Sequence, residues 1–444
     1  MLPDILTNKE YTGYDKFLML VSVISAVLPE YIAPVMIIAF YPFSHHYFAV
    51  HGRKVMFGKM GKMFFGYTIY MMTSIVWSKT REATFFTSLM WMAMFWCFLA
   101  AANVCDTKKK IENVILCISA SGAACGVVSV FQMFFAAINL HKILPNPFYA
   151  SIDKFVFKFL PLGLPTGRLS DRAASVFNDP MIFAALLTLI MPLSVFLSFY
   201  ASTKKRRRLA SAASLIIFIG LLLTFSVAAA AAVLISFLFL GFMGKRPAVF
   251  MAGGVAVTAI LIPFVIYERA RYSLTPEMSA GARFDVWSAC FESIKTHPIF
   301  GIGIGSQELT NVVGNQSLSN LQAHNLYIQI LTEAGFTGLI FFAAIIALMF
   351  YNIYTIYKCG GWWRRIALAM FSSAFGFLAV SVFEYTLRTP KELMYFLFVL
   401  GVIEAAKRVS QKHKENYDAE AIEEHNRTLR ELSESRLKRE AEVK

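Results

Sequence analysis

The sequence predicts an all-α, polytopic integral membrane protein with about twelve transmembrane helices. Three observations carry this. Of 444 residues, 57% are hydrophobic and only 16% charged, where soluble domains carry roughly a quarter. Mean hydropathy is +0.56. Apolar runs long enough to span a bilayer recur along most of the chain. Lipid offers no partner for backbone N–H and C=O groups, and the alternating pattern of a barrel is absent, so the spans are helical.

In order, the apolar runs fall at 15–29, 31–48, 63–78, 84–103, 111–138, 181–200, 209–225, 228–243, 249–267, 335–357, 366–385 and 391–406. The first is preceded by Asp4, Lys9, Glu10 and Asp15 and shows no small-residue cleavage site, so it reads as a span that directs its own insertion. The connections sort by charge. HGRKVMFGKMGK (51–62), DTKKKIEN (106–113), STKKRRR (202–208), GKRP (244–247), KCGGWWRR (358–365) and KRVSQKHK (407–414) are all positive, and they alternate with connections poorer in cations. By the positive-inside rule both termini are cytoplasmic, and two long loops, 139–180 and 268–334, lie outside the cytoplasmic membrane. The transmembrane unit is then residues 1–406, and 407–444 is a charged cytoplasmic tail. Glu and Lys/Arg recur along that tail at spacings of three to four, as in a solvated helix or a partly disordered extension. Docking of a cytoplasmic partner is its alternative use.

Composition excludes several functions. The formal charge of +14 is spread as short clusters between apolar runs, which fits membrane lipids and topology rather than nucleic acid. Six cysteines show no CxxC or CxxH spacing, so neither a disulfide framework nor a zinc site is expected. There is no internal repeat of the kind that builds duplicated transporter bundles.

The chemistry-bearing residues gather in the two outer loops. Loop 139–180 holds Arg168 and Arg172, the latter opening RAASVFNDP. Loop 268–334 holds Arg269, Arg271, Arg283, Trp287, His297, His324, Asn325 and Glu333. Arginines on an outer face run against the positive-inside bias, and a guanidinium fork suits phosphate oxygens. Arg283 and Trp287 stand four apart, on one helical face. His324 lies where the loop turns into a helix, and its imidazole can take a proton from a hydroxyl near neutral pH. The glycines of HPIFGIGIGS (297–306) lack the spacing of a phosphate-binding loop and are expected to form a flexible turn.

Arg283 and Trp287, then HPIFGIGIGS, then AHNLYIQILTEAGFTGL (323–339), in that order, resemble the O-antigen ligase and O-antigen polymerase superfamily. RAASVFNDPMIFA (172–184) is a weaker match. The resemblance implies a GT-C-like membrane glycosyltransferase, without metal or other cofactor. It would move a glycan from undecaprenyl diphosphate to an acceptor hydroxyl, on another glycan or on a lipid, at the outer face of the cytoplasmic membrane. By position it makes His324 the catalytic base and Arg283 the diphosphate ligand. Arg172, Arg168, Arg269, Arg271, Asn325 and Trp287 complete the candidate substrate-binding set. One departure stands out: TFSVAAAAA places Val227 where family members carry an arginine. The competing reading, a transporter or flippase of lipid-linked oligosaccharide, requires ionisable residues buried along a mid-membrane path.

Overall fold

The computed structural model describes residues 12–25, 28, 55–137, 172–177, 179–226, 228–234, 280–306 and 322–442. Among these there is no strand. The α-helices follow in order: α1 (Gly13–Ile24), α2 (Gly58–Thr73), α3 (Arg81–Val104), α4 (Lys108–Ala137), α5 (Pro180–Tyr200), α6 (Lys204–Leu223), α7 (Ala280–Thr296), α8 (Leu326–Lys358), α9 (Gly361–Val380) and α10 (Pro390–Glu442), and residues 228–234 are also helical. A 3₁₀ turn, Ser74–Val76, extends α2. Five of them, α3, α4, α5, α8 and α9, are long and apolar enough to cross a membrane. The chain is therefore a helical, polytopic membrane protein. The expected spans 31–48 and 249–267, and most of 228–243, lie outside the described residues.

Helix starts follow from local chemistry. Asp179 accepts from Met181 N–H at the head of α5, with Pro180 at the first helical position, where its missing N–H costs nothing. Thr203 caps α6, which therefore begins within the Lys204–Arg208 cluster instead of at residue 209. Likewise α9 begins at Gly361 and closes at Val380, five residues before its apolar run ends. The turn released there, 381–389, carries Glu384. The tail is helical at least to Glu442, continuous with α10.

α10 packs along α3, and α4, α5 and α6 form a second layer that α9 joins to α8. Small residues permit the closest approach: a Cβ on Gly220 of α6 would come within 2.9 Å of the Gly126 Cα of α4. Such contact is how helices associate where lipid removes the hydrophobic drive between them.

Contacts collect the connections at two opposite ends of the bundle. At one, Lys110 pairs with Asp15, Glu112 accepts from Ser202 and Arg206, Trp362 donates to Tyr200 O, and Arg408 donates to Ala102 O. These are the cation-rich connections. At the other, 74–84, 172–179, 224–226, 297–306, 322–337 and 381–391 interlock. Among the described connections, the cation-rich ones therefore share one end and the cation-poor ones the other.

Candidate active site

His324 precedes α8 and has a left-handed backbone, with φ of 45°. A non-glycine residue adopts this only where its surroundings hold it, and here five hydrogen bonds on the flanking residues do. Asn325 caps α8, its side-chain oxygen accepting from Tyr327 and Ile328 N–H at 2.9 and 3.0 Å. The Leu326 N–H donates to Ser381 O at 2.9 Å. The Ala323 N–H donates to Gln329 Oε1, and the Ala323 carbonyl accepts from Trp287 Nε1 at 2.6 Å.

The imidazole meets a carboxylate 60 positions away. His324 Nδ1 lies 3.2 Å from both oxygens of Glu384. Glu384 is 3% exposed and His324 35%, so the acid is held inside and the base opens outward. Glu384 is itself oriented by the Tyr385 N–H at 3.1 Å, and its turn is closed by a Ser381–Thr386 hydroxyl bond. With Nδ1 turned to the carboxylate, Nε2 remains for a reacting proton. Such a pairing fixes the orientation of an imidazole and favours its charged form.

Asp179 is the third group. Burial raises its pKa above the ordinary aspartate range and the Glu384 charge raises it further, while the Met181 N–H, Arg172 and His324 pull it back. Arg172, Asp179, His324 and Glu384 therefore share one electrostatic environment. Arg172 donates through Nε to Thr224 O at 2.9 Å and through Nη2 to Met181 Sδ. Its segment is fastened from below: Gln132 exchanges two hydrogen bonds with Ser175, and Lys391, fully buried, donates to Val176 O while standing 4.9 Å over the Phe177 ring.

The glycine-rich segment is a fixed brace, not a flexible turn. α8 breaks at Gly335, whose φ of 63° and ψ of −169° are open essentially to glycine alone. The break takes away the helical donors of Thr332 O and Glu333 O, which would have been Phe336 and Thr337 N–H. Ile302 and Gly303 N–H replace them at 3.1 and 2.9 Å, while Phe336 and Thr337 N–H donate to Pro298 O and Ile299 O. Tyr70 O–H supplies Ala334 O at 2.6 Å. A broken helix at membrane depth survives only when its freed groups are satisfied in this way. The break also explains why residues 326–334, expected as loop, form a separate helical segment that begins beside His324. Ser306 then anchors the brace to the start of α3 through Ser78 and Thr80 hydroxyls.

Of the expected site residues, then, His324 and Arg172 come together. Trp287 and Asn325 adjoin His324 as groups that hold its backbone. Arg283 falls in α7, one turn before Trp287. Arg168, Arg269 and Arg271, together with Val227, lie outside the described residues. Glu384 was not singled out from sequence, and Asp179 stood only as one charged residue of loop 139–180, in RAASVFNDP. The only signal for Glu384 was an acid at the boundary between an apolar run and an expected outer connection. Among the described residues, no three His, Cys, Asp or Glu side chains gather where a metal could be held.

The bundle and this histidine–carboxylate pair define a polytopic membrane protein with a polar cluster at one end of its helices. Residues 212–343 match the family model described as O-antigen ligase, the superfamily that the ordered motifs resemble. That family's class of activity is glycosyltransferase-like ligation or polymerisation of surface polysaccharide. The matched stretch includes Arg283, Trp287, the glycine brace and His324; Arg172, Asp179 and Glu384 lie beyond it. No curated protein matches the chain.

Proposed function

We propose that the protein transfers a glycan from undecaprenyl diphosphate to an acceptor hydroxyl at the outer face of the cytoplasmic membrane, with His324 as general base. The observation that carries this reading is the buried Glu384 carboxylate against His324 Nδ1. His324 Nε2 takes the acceptor proton as the acceptor oxygen bonds to the anomeric carbon. The bond from that carbon to the diphosphate breaks, and the electron pair leaves with the lipid diphosphate. The Glu384 charge balances the imidazolium that forms. Arg283 and Arg172, with Arg168, Arg269 or Arg271 replacing the cation missing at Val227, balance charge on the departing diphosphate, the largest expected contribution. Holding both membrane-borne substrates at one bundle end supplies proximity. The mechanism uses no metal or cofactor. Among the described residues the buried charges lend the flippase reading no support: Asp15, Glu112, Glu333, Glu384, Lys391 and Glu392 sit near helix ends or beside the α8 break.

The test is gel profiling of surface glycan and lipid-linked intermediates in cells lacking the protein, complemented with wild type or His324→Ala. Accumulated single lipid-linked units with loss of long chains, unrescued by the variant, identify a polymerase; accumulated long lipid-linked chains identify a ligase. Full rescue by His324→Ala removes the mechanism.

A further inference from the structure

At the cation-rich end, opposite the candidate active site, α2 and α10 enclose a cleft of about 860 Å³. Lys59, Lys62, Lys407, Arg408 and Lys412 line it, against the carboxylates of Glu404 and Glu415. Its floor is ordered. Asn352 donates to Glu404 at 2.7 Å and accepts from Lys407 Nζ at 2.8 Å, while Arg408 is held by Ala102 O at 2.7 Å. On the rim, Lys59, Lys62 and Lys412 make no hydrogen bond or ion pair with the described residues. A concave surface with fixed cations at its base and uncommitted ones at its lip attracts an anion.

The anion's nature follows from α2. Gly58, Lys62, Phe65 and Ile69 recur at helical spacing on one face. Phe65 and Ile69 are exposed, as is Met56 at the mouth. The same face therefore presents cations at the cleft and an apolar track running from it along a membrane-embedded bundle. A soluble anion has no use for that track, whereas an acyl chain does.

We propose that this cleft binds the phosphate headgroup of an anionic phospholipid, whose chains lie along the Phe65–Ile69 face of α2. The site stands apart from the transfer reaction and does not depend on it.

The full-length protein in neutral detergent is titrated with fluorescent phosphatidylglycerol and phosphatidylcholine, with glycerol phosphate as a soluble competitor. Phosphatidylglycerol is expected to bind at least about tenfold more tightly than phosphatidylcholine. The exposed pair Lys62→Gln with Lys412→Gln should lower that affinity roughly tenfold or more, on the scale of two surface cations near anionic lipid. Lys204→Gln with Arg208→Gln, exposed cations of another connection at the same end, should leave it unchanged. Equal binding of the two lipids overturns the proposal. So does an equal loss in both double variants, which would reduce the effect to general surface charge. Displacement by glycerol phosphate at concentrations comparable to the lipid would assign the cleft to a soluble anion instead.

Discussion

Replacing Glu384 by Gln tests the coupling at the centre of the candidate site. The carboxylate lies 3.2 Å from His324 Nδ1. Two unit charges at that distance interact by about 5 kcal/mol at an effective dielectric of 20. With His324 about one-third exposed, water screens the pair, and about 2–3 kcal/mol is the expected worth of the carboxylate to the imidazolium formed during transfer. Glutamine keeps the shape and a neutral hydrogen bond but not the charge. Turnover should therefore fall roughly 30- to 150-fold. KM for the lipid-linked donor should barely change, since neither group is assigned to the diphosphate. The assay is steady-state transfer in proteoliposomes with purified donor and acceptor. Turnover within threefold of wild type, alongside an inactive His324→Ala, would refute the idea that Glu384 supports the base. A change confined to KM would move Glu384 to substrate binding.

Three other outcomes follow from single contacts. Trp287→Phe keeps an aromatic ring but loses the donor to Ala323 O, so turnover should fall about tenfold as the His324 backbone loosens, a loss of about 1.4 kcal/mol in transition-state stabilisation; unchanged kcat with normal membrane levels would remove the positioning role. In Gly335→Ala the new Cβ would sit 2.3 Å from Ile299 O, at a φ and ψ that alanine rarely adopts. The cost should be about 2 kcal/mol or more and should appear as lost folded protein in detergent extracts; normal yield and melting temperature would disprove the brace. Asp179→Asn keeps an oxygen for the Met181 N–H and removes a charge that burial and Glu384 disfavour. Because the wild-type pKa is raised, its contribution to stability is full in acid and is lost as pH rises through that pKa. The variant should melt higher than wild type at neutral pH, with the gap closing as pH falls toward the ordinary aspartate range; a lower melting temperature at neutral pH would contradict this.

The helices illustrate what hydropathy can and cannot locate. It found the body of α3, α4, α5, α8 and α9, because burying twenty residues in lipid is a sum over local side chains. It set the ends of α6 and α9 about five residues late, because Thr203 and the cations behind it extend a helix past its apolar window, and because the turn at 381–389 is still partly apolar. Gly335 was legible only as the start of a span, not as a break with another helical segment before it.

The sequence alone determined that this is a helical membrane protein, predicted connections that alternate between two faces, and set its motifs in the order that the O-antigen ligase superfamily shows. All are local or ordinal properties, readable from composition, charge and spacing. Tertiary structure decided how those motifs are arranged. It set Glu384 against His324, Trp287 against Ala323, and the glycines of 297–306 against the orphaned carbonyls of α8. Each is a contact between residues many turns apart in the chain. Their pairing depends on which helix ends meet, and no local energy along the sequence encodes that meeting.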